Sequence, residues 1–301
     1  MTPVFRFAPS PNGALHLGHA FSAIINFEAA KRTCGRFYLR IEDIDTMRCT
    51  QDKIEQMLDD LGWLGLTWDQ PVLRQSQRLS LYQDALEVLR QKGLIYPSSA
   101  SRKDIQKAVL KWETNTQKQW PRDPDGAHLF PRALLPDTEI GKGTVAWRLD
   151  MHRALEIAGS SLTWTETGPK SQSYPKPEII PAQPNAWGDV ILARKDTPTS
   201  YHLSVVIDDA AQDISHVVRG QDLFCATSLH RLLQTLLDLP APLYHHHRLL
   251  TDGSGQKLSK SRGDLGLASL RTRGASPQDI RQLVHWSEDD LKAFIIAPSG
   301  L

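Results

Sequence analysis

The sequence predicts an α/β protein: a doubly wound parallel sheet with an inserted α+β subdomain and a short helical segment at its end. Three observations predict it. Strand-like and helix-like runs alternate through the first third of the 301 residues. That alternation breaks between about residues 96 and 186, where prolines crowd, and it resumes beyond residue 187.

Residues 4–8 (Val-Phe-Arg-Phe-Ala) form a β-prone run, ended by the turn cluster Pro9-Ser10-Pro11-Asn12-Gly13. The apolar residues Phe21, Ile24, Ile25, Phe27 and Ala29 predict a helix from about residue 18 to residue 32, with one face buried. A strand over 37–42 and helices over 51–61 and 77–91 complete the first half, residues 1–95. The insert, residues 96–186, runs from a short helical stretch through the turn at 121–126 to a β-prone run at 144–149. An extended, proline-rich excursion follows over 169–184. The second half, 187–245, resumes with 189–194, 201–207 and a helix over about 223–239. In the last segment, 246–301, Ser276 and Ser287 each precede an aspartate by three residues, a pattern that starts helices.

Two distant segments carry the chemistry. His16-Leu17-Gly18-His19 lies in the turn that enters the first helix, where free N–H groups and the helix dipole attract phosphate. Gly18 permits close approach of a nucleotide, and two imidazoles there can donate to phosphate oxygens as their charge grows. Lys257-Leu258-Ser259-Lys260-Ser261 sits between glycines far downstream, as in loops that close over ligands. Its lysines, three apart, can neutralise a departing pyrophosphate. Each segment alone also reads as a helix cap or a solvated basic turn. Together they predict two cationic arms around a nucleoside triphosphate, and hence ATP-dependent activation of a carboxylate, with His16, His19, Lys257 and Lys260 catalytic and His16, Gly18, His19 and Lys260 binding ATP.

Six segments then agree in order with one family. Residues 6–13 (Arg-Phe-Ala-Pro-Ser-Pro-Asn-Gly), 16–19, 40–45 (Arg-Ile-Glu-Asp-Ile-Asp), 198–202 (Pro-Thr-Ser-Tyr-His), 218–222 (Val-Arg-Gly-Gln-Asp) and 257–261 resemble the glutamate-specific class I aminoacyl-tRNA synthetases. The second and last match that family's HIGH and KMSKS motifs. The resemblance implies the HUP-type nucleotide-binding fold of class I synthetases, with an acceptor-type insert. The chain stops soon after the second arm, so no anticodon-binding domain is expected. This shortened form resembles the glutamyl-Q tRNA(Asp) synthetases, bacterial paralogues that attach glutamate to queuosine in the anticodon of tRNA(Asp). A truncated synthetase charging a tRNA 3′ end and a non-catalytic RNA-binding paralogue are the alternatives.

By the same resemblance, Arg6, Ala8, Ser10, Glu42, Tyr201 and Arg219 fall on glutamate-binding positions. The chemistry agrees, because two arginines suit two carboxylates and one acid suits the ammonium. Which arginine takes which carboxylate stays open, with Arg6 preferred for the side-chain group. Taken singly, these residues also read as surface ion pairs, a core tyrosine and a rim charge.

Family members carry a cysteine-based zinc site that this chain lacks: Ser98 and Ala100 stand where cysteines are usual. Zinc is therefore expected to be absent, with ATP and Mg2+ as the cofactors and the insert held by packing through Trp112, Trp120 and Phe130. The consecutive His245, His246 and His247 show no fourth ligand pattern and are expected to pack or to contact nucleotide, and His202 to border the adenosine pocket. Three scattered cysteines argue against a disulfide framework, and no span or signal pattern appears, so a cytoplasmic monomer away from membranes is expected. A net charge of +1 requires RNA contact to come from a local patch. Lys103, Lys107 and Lys111, spaced by four, share one helix face, with Lys118 nearby and Arg271, Arg273 and Arg281 as a second group.

Overall fold

The computed structural model describes residues 2–135, 145–159, 161–250 and 266–296. In chain order its elements are β1 (Val4–Phe7), α1 (Leu17–Arg32), β2 (Arg36–Ile41), α2 (Gln51–Trp63), β3 (Asp69–Arg74), α3 (Leu79–Gln91), β4 (Ile95–Ser98) and α4 (Arg102–Thr116). They continue with β5 (Ala146–Leu149), α5 (Met151–Ala158), β6 (Thr163–Glu166), β7 (Glu178–Pro181), β8 (Ile191–Ala193), α6 (Tyr201–Ala211), β9 (His216–Gly220) and α7 (Ala226–Leu236). Last come β10 (Leu243–His247), α8 (Leu267–Thr272), α9 (Pro277–Leu283) and α10 (Lys292–Ile296).

A seven-stranded sheet runs in the order β3-β2-β1-β9-β10-β6-β7, every pair parallel except β6 with β7. From β1 the chain winds outward through β2 to β3, then returns to lay β9 on the other side. The β1–β9 junction is thus a switch point, where open α/β sheets leave a crevice beyond the strand ends. A smaller antiparallel sheet, β4-β5-β8, stands apart.

Two sheet memberships differ from the sequence reading. Residues 163–181, expected in the insert, pair into the large sheet through β6 and β7, whereas β8, expected in the second half, pairs with β5 of the small sheet. Three apolar residues at 191–193 make a strand but do not specify a partner. Trp164 buries against Phe224 and near Tyr244, which draws β6 to the large sheet. Residues 201–207 begin helix α6.

Helix α1 is buried on more than one side, including Phe21, Ile24 and Ile25, because it lies between the large sheet and the C-terminal helices. Ion pairs from Arg281 to Glu28 (2.9 Å) and from Arg32 to Glu288 tie those helices down. Their starts follow the serine pattern: Ser276 and Asp279 exchange bonds at 3.2 and 2.7 Å, and Ser287 and Asp290 form the same box. A second core joins α3, β4, α5, α6 and α7.

The insert is bound by aromatic contacts. Trp112 and Trp120 meet edge to face at 4.9 Å, and the Arg148 guanidinium lies 3.6 Å over Phe130. Tyr96 donates to Asp189 at 2.6 Å beneath the Arg132 guanidinium, and Ser98 is buried. These residues do not fit a zinc ion, since serine and alanine replace the thiolates. Lys103, Lys107 and Lys111 are exposed along α4.

Candidate active site

A cavity of about 270 Å³ opens at the β1–β9 switch point. Arg6, Ala8, Ser10, His16, Gly18, His19, Glu42, Tyr201 and Arg219 all line it. Arg6 and Arg219 stand near the carboxyl ends of β1 and β9, Glu42 follows β2, and Tyr201 starts α6. Lys257 and Lys260 lie outside the described residues. The chain leading toward them, residues 248–250, lines the cavity, and Gly266 beyond them bridges to His16.

The two histidines build the start of α1 and the wall of the cavity at once. His16 Nδ1 accepts the Gly18 N–H at 3.0 Å, and His19 Nδ1 accepts the His16 N–H at 3.2 Å. In a neutral ring the proton then sits on Nε2, the nitrogen away from the cap. The rings lie 3.9 Å apart. A Cβ on Gly18 would meet His16 Cε1 at 2.9 Å, so only glycine lets that ring fold back over the turn. These residues thus cap the helix and line the cavity at once.

The residues near Glu42 form a buried charge cluster. Arg6 donates to both oxygens of Asp209 at 3.0 and 3.5 Å, and Arg40 donates to the same carboxylate at 2.7 Å. Burial works against ionised Asp209, but the two arginines hold it below the usual carboxylate range. Arg40, fully buried, also reaches Glu42 at 3.5 Å. Burial pushes the Glu42 carboxyl up to about 7 despite the opposing pull of Arg40 and Arg6. Such a group welcomes a cation, because an ammonium beside it restores the charged form. Burial likewise raises the Tyr201 phenol to about 12, keeping it a donor at neutral pH.

Arg219 is held differently. Its Nε donates to His246 at 3.1 Å, its Nη1 to His230 at 3.1 Å, and its Nη2 to Thr227 at 2.7 Å and to the Leu223 carbonyl at 3.2 Å. All four acceptors are uncharged groups, and no carboxylate among the described residues pairs with it. The fork expected from sequence is therefore mostly occupied; of five N–H groups, one on Nη1 remains.

A family model for "tRNA synthetases class I (E and Q), catalytic domain" matches residues 4–145 and 178–293. The chain belongs to this family. A Rhodobacter capsulatus relative named glutamyl-Q tRNA(Asp) synthetase is 48% identical over 282 residues, 93% of this chain and 99% of that one. A Symbiobacterium thermophilum relative of the same name is 36% identical over 284 residues, 91% of this chain and 83% of its own. The crystal structure of glutamate-tRNA synthetase from Elizabethkingia anophelis superposes with a TM-score of 0.76 at 24% identity. That match covers 98% of this chain but 64% of the solved one, so this synthetase-family chain spans less than two thirds of it.

Several site residues escaped sequence reasoning. Asp209 anchors Arg6 and Arg40; the signal was a pair of acids, Asp208 and Asp209, inside an otherwise apolar helix, which must meet cations when buried. Asp208 accepts from Gln75, Arg78 and Tyr82 at 2.8 Å each. Glu166, His230 and Thr227 also went unnoticed. Residues 40–45 are surface pairs only in part: Asp45 pairs with Arg48 at 2.6 Å on the surface, whereas Asp43 is buried and accepts from Ser76 and Arg74. The three histidines of β10 are buried, and among the described residues no group of three His, Cys, Asp or Glu side chains is placed to hold a metal. His202 packs against Trp187 and His230 rather than lining the cavity. No helix of the described residues is long and apolar enough to cross a membrane.

Proposed function

We propose that this chain activates L-glutamate with ATP to glutamyl-adenylate and transfers the glutamyl group to queuosine in the anticodon of tRNA(Asp). The observation that carries the reading is the single cavity lined by both the histidine turn and the acid-and-arginine cluster. The names of the R. capsulatus and S. thermophilum relatives support the acceptor.

In the first step a glutamate carboxylate oxygen bonds to the α-phosphorus and the bond to pyrophosphate breaks. In the second an RNA hydroxyl attacks the acyl carbon and AMP leaves. The chain supplies position and charge rather than a covalent nucleophile. Glu42, with Ser10 and the backbone near Ala8, receives the ammonium, and Tyr201 donates a hydrogen bond. His16 and His19 hold the triphosphate through Nε2–H with Gly18 beneath it. Lys257 and Lys260 neutralise the leaving pyrophosphate, a role supported by residues 248–250, which lead toward their segment and line the cavity, and by Gly266 beyond it, which bridges to His16. Mg2+ arrives with ATP, and zinc takes no part. The side-chain carboxylate stays ionised through both steps, whereas the α-carboxylate loses its charge on adenylation. Arg219, with no carboxylate partner among the described residues, therefore suits the side-chain group better than Arg6, whose charge is met by Asp209. We place the protein in the cytoplasm as a monomer.

The test is transfer of labelled glutamate to tRNA(Asp) with and without queuosine. Label only on the queuosine-containing RNA supports the reading. Label on the 3′-terminal adenosine would point to the truncated charging enzyme, and no adenylate at all to a silent paralogue.

A further inference from the structure

Behind the cavity lies a chain of buried groups that ends on Arg219. Because the single Nε–H of Arg219 points at His246 Nε2 (3.1 Å), that nitrogen must be bare. The proton of the neutral ring is then on Nδ1, where Glu166 Oε2 accepts it at 2.6 Å. Glu166 is itself fixed, its Oε1 accepting the backbone N–H groups of His246 at 2.9 Å and Gly168 at 2.8 Å. A Cβ on Gly168 would strike the His246 backbone at 2.6 Å, so a glycine is required for this approach. Glu166 and His246 are both 0% exposed. On the other edge, His230 Nδ1 accepts from Arg219, which leaves Nε2–H of His230 to donate to His202 at 3.2 Å.

We propose that Glu166 and His246 form a positioning relay that sets the tautomer of His246 and so holds the Arg219 guanidinium in place for the ligand's side-chain carboxylate. The proposal rests on the reading of Arg219 given above. A carboxylate placed directly against Arg219 would spend its charge; an imidazole in between orients the arginine and leaves its charge for the ligand. Burial keeps His246 neutral, and although burial also opposes ionised Glu166, the bonds from His246 and Gly168 hold it in the charged form. Neither residue touches substrate.

Glu166→Gln keeps shape but presents an amide N–H to His246 Nδ1. That favours the other tautomer, whose Nε2–H confronts Arg219 Nε–H. In glutamate-dependent pyrophosphate exchange, the variant is expected to raise KM for glutamate about tenfold to a hundredfold, the usual weight of a hydrogen bond to a charged group. Both kcat and KM for ATP should stay within about threefold, and preference for glutamate over glutamine should fall by the same factor as the KM change. A folded variant with unchanged KM and preference would overturn the relay while leaving the site reading intact. If wild-type protein shows no exchange with glutamate, the site reading fails and the specificity role with it. Nitrogen-detected NMR of the histidine rings in the wild-type chain tests the relay without a variant: protonated Nδ1 on His246 is expected, and protonated Nε2 would overturn it.

Discussion

Glu42 offers the sharpest test of how the site works, because burial places its carboxyl near the middle of the physiological range. With an ionisation midpoint of about 7, roughly a tenth of empty sites carry the charge at pH 6 and roughly nine tenths at pH 8. The ligand's ammonium stays protonated throughout and binds only the ionised form. KM for glutamate should therefore fall about tenfold from pH 6 to pH 8, since apparent affinity scales with the competent fraction. Pyrophosphate exchange across this range measures it. In Glu42→Gln, KM should be high and flat with pH. The same residue makes an opposite prediction for stability. Its carboxyl is raised from 4.5 to about 7, so the folded state holds a proton that the unfolded chain releases between those values. Stability from this site is full below pH 4.5 and lost as pH rises toward 7. At about 1.4 kcal/mol per pH unit, the cost at pH 8 is roughly 3 kcal/mol. Glu42→Gln should thus melt higher than wild type at pH 8 while binding glutamate worse. A flat wild-type KM profile, or the same slope surviving in the glutamine variant, would refute the reasoning.

Two other outcomes follow from the proposed chemistry and from the packing of the insert. Lys260→Ala should slow pyrophosphate exchange about a hundredfold while changing glutamate affinity less than about threefold, as a group acting on departing charge should; equal losses in both would contradict that role. Prolonged dialysis against a zinc chelator should leave the melting temperature unchanged, because the contacts of Trp112 with Trp120 and of Phe130 with Arg148 close the insert; a drop of several degrees would show a structural ion.

Much of the site was legible because its chemistry is local in sequence. The turn at 9–13, the histidines at 16 and 19 and the strand end at 40–42 announce a strand–turn–helix unit whose polar residues gather beyond the carboxyl ends of the strands. The serine caps at 276 and 287 were legible for the same reason: a cap is settled within four residues. What stayed hidden is long-range. Nothing in the run 191–193 distinguishes a strand of the large sheet from one of the small. The Arg6–Asp209–Arg40 cluster joins residues 169 and 203 positions apart, and its arginines read as ligand or surface groups until Asp209 is seen between them. Arg219 was named for its charge, but what orients it, Glu166 through His246, is 80 positions from its partner. Buried polar groups carry this information only as a demand for partners, not as an address.

The most direct measurement is pyrophosphate exchange by the purified wild-type protein with ATP, Mg2+ and no RNA. The account predicts label entering ATP when glutamate is supplied and far less with glutamine or aspartate. A folded protein that exchanges with none of them would contradict it.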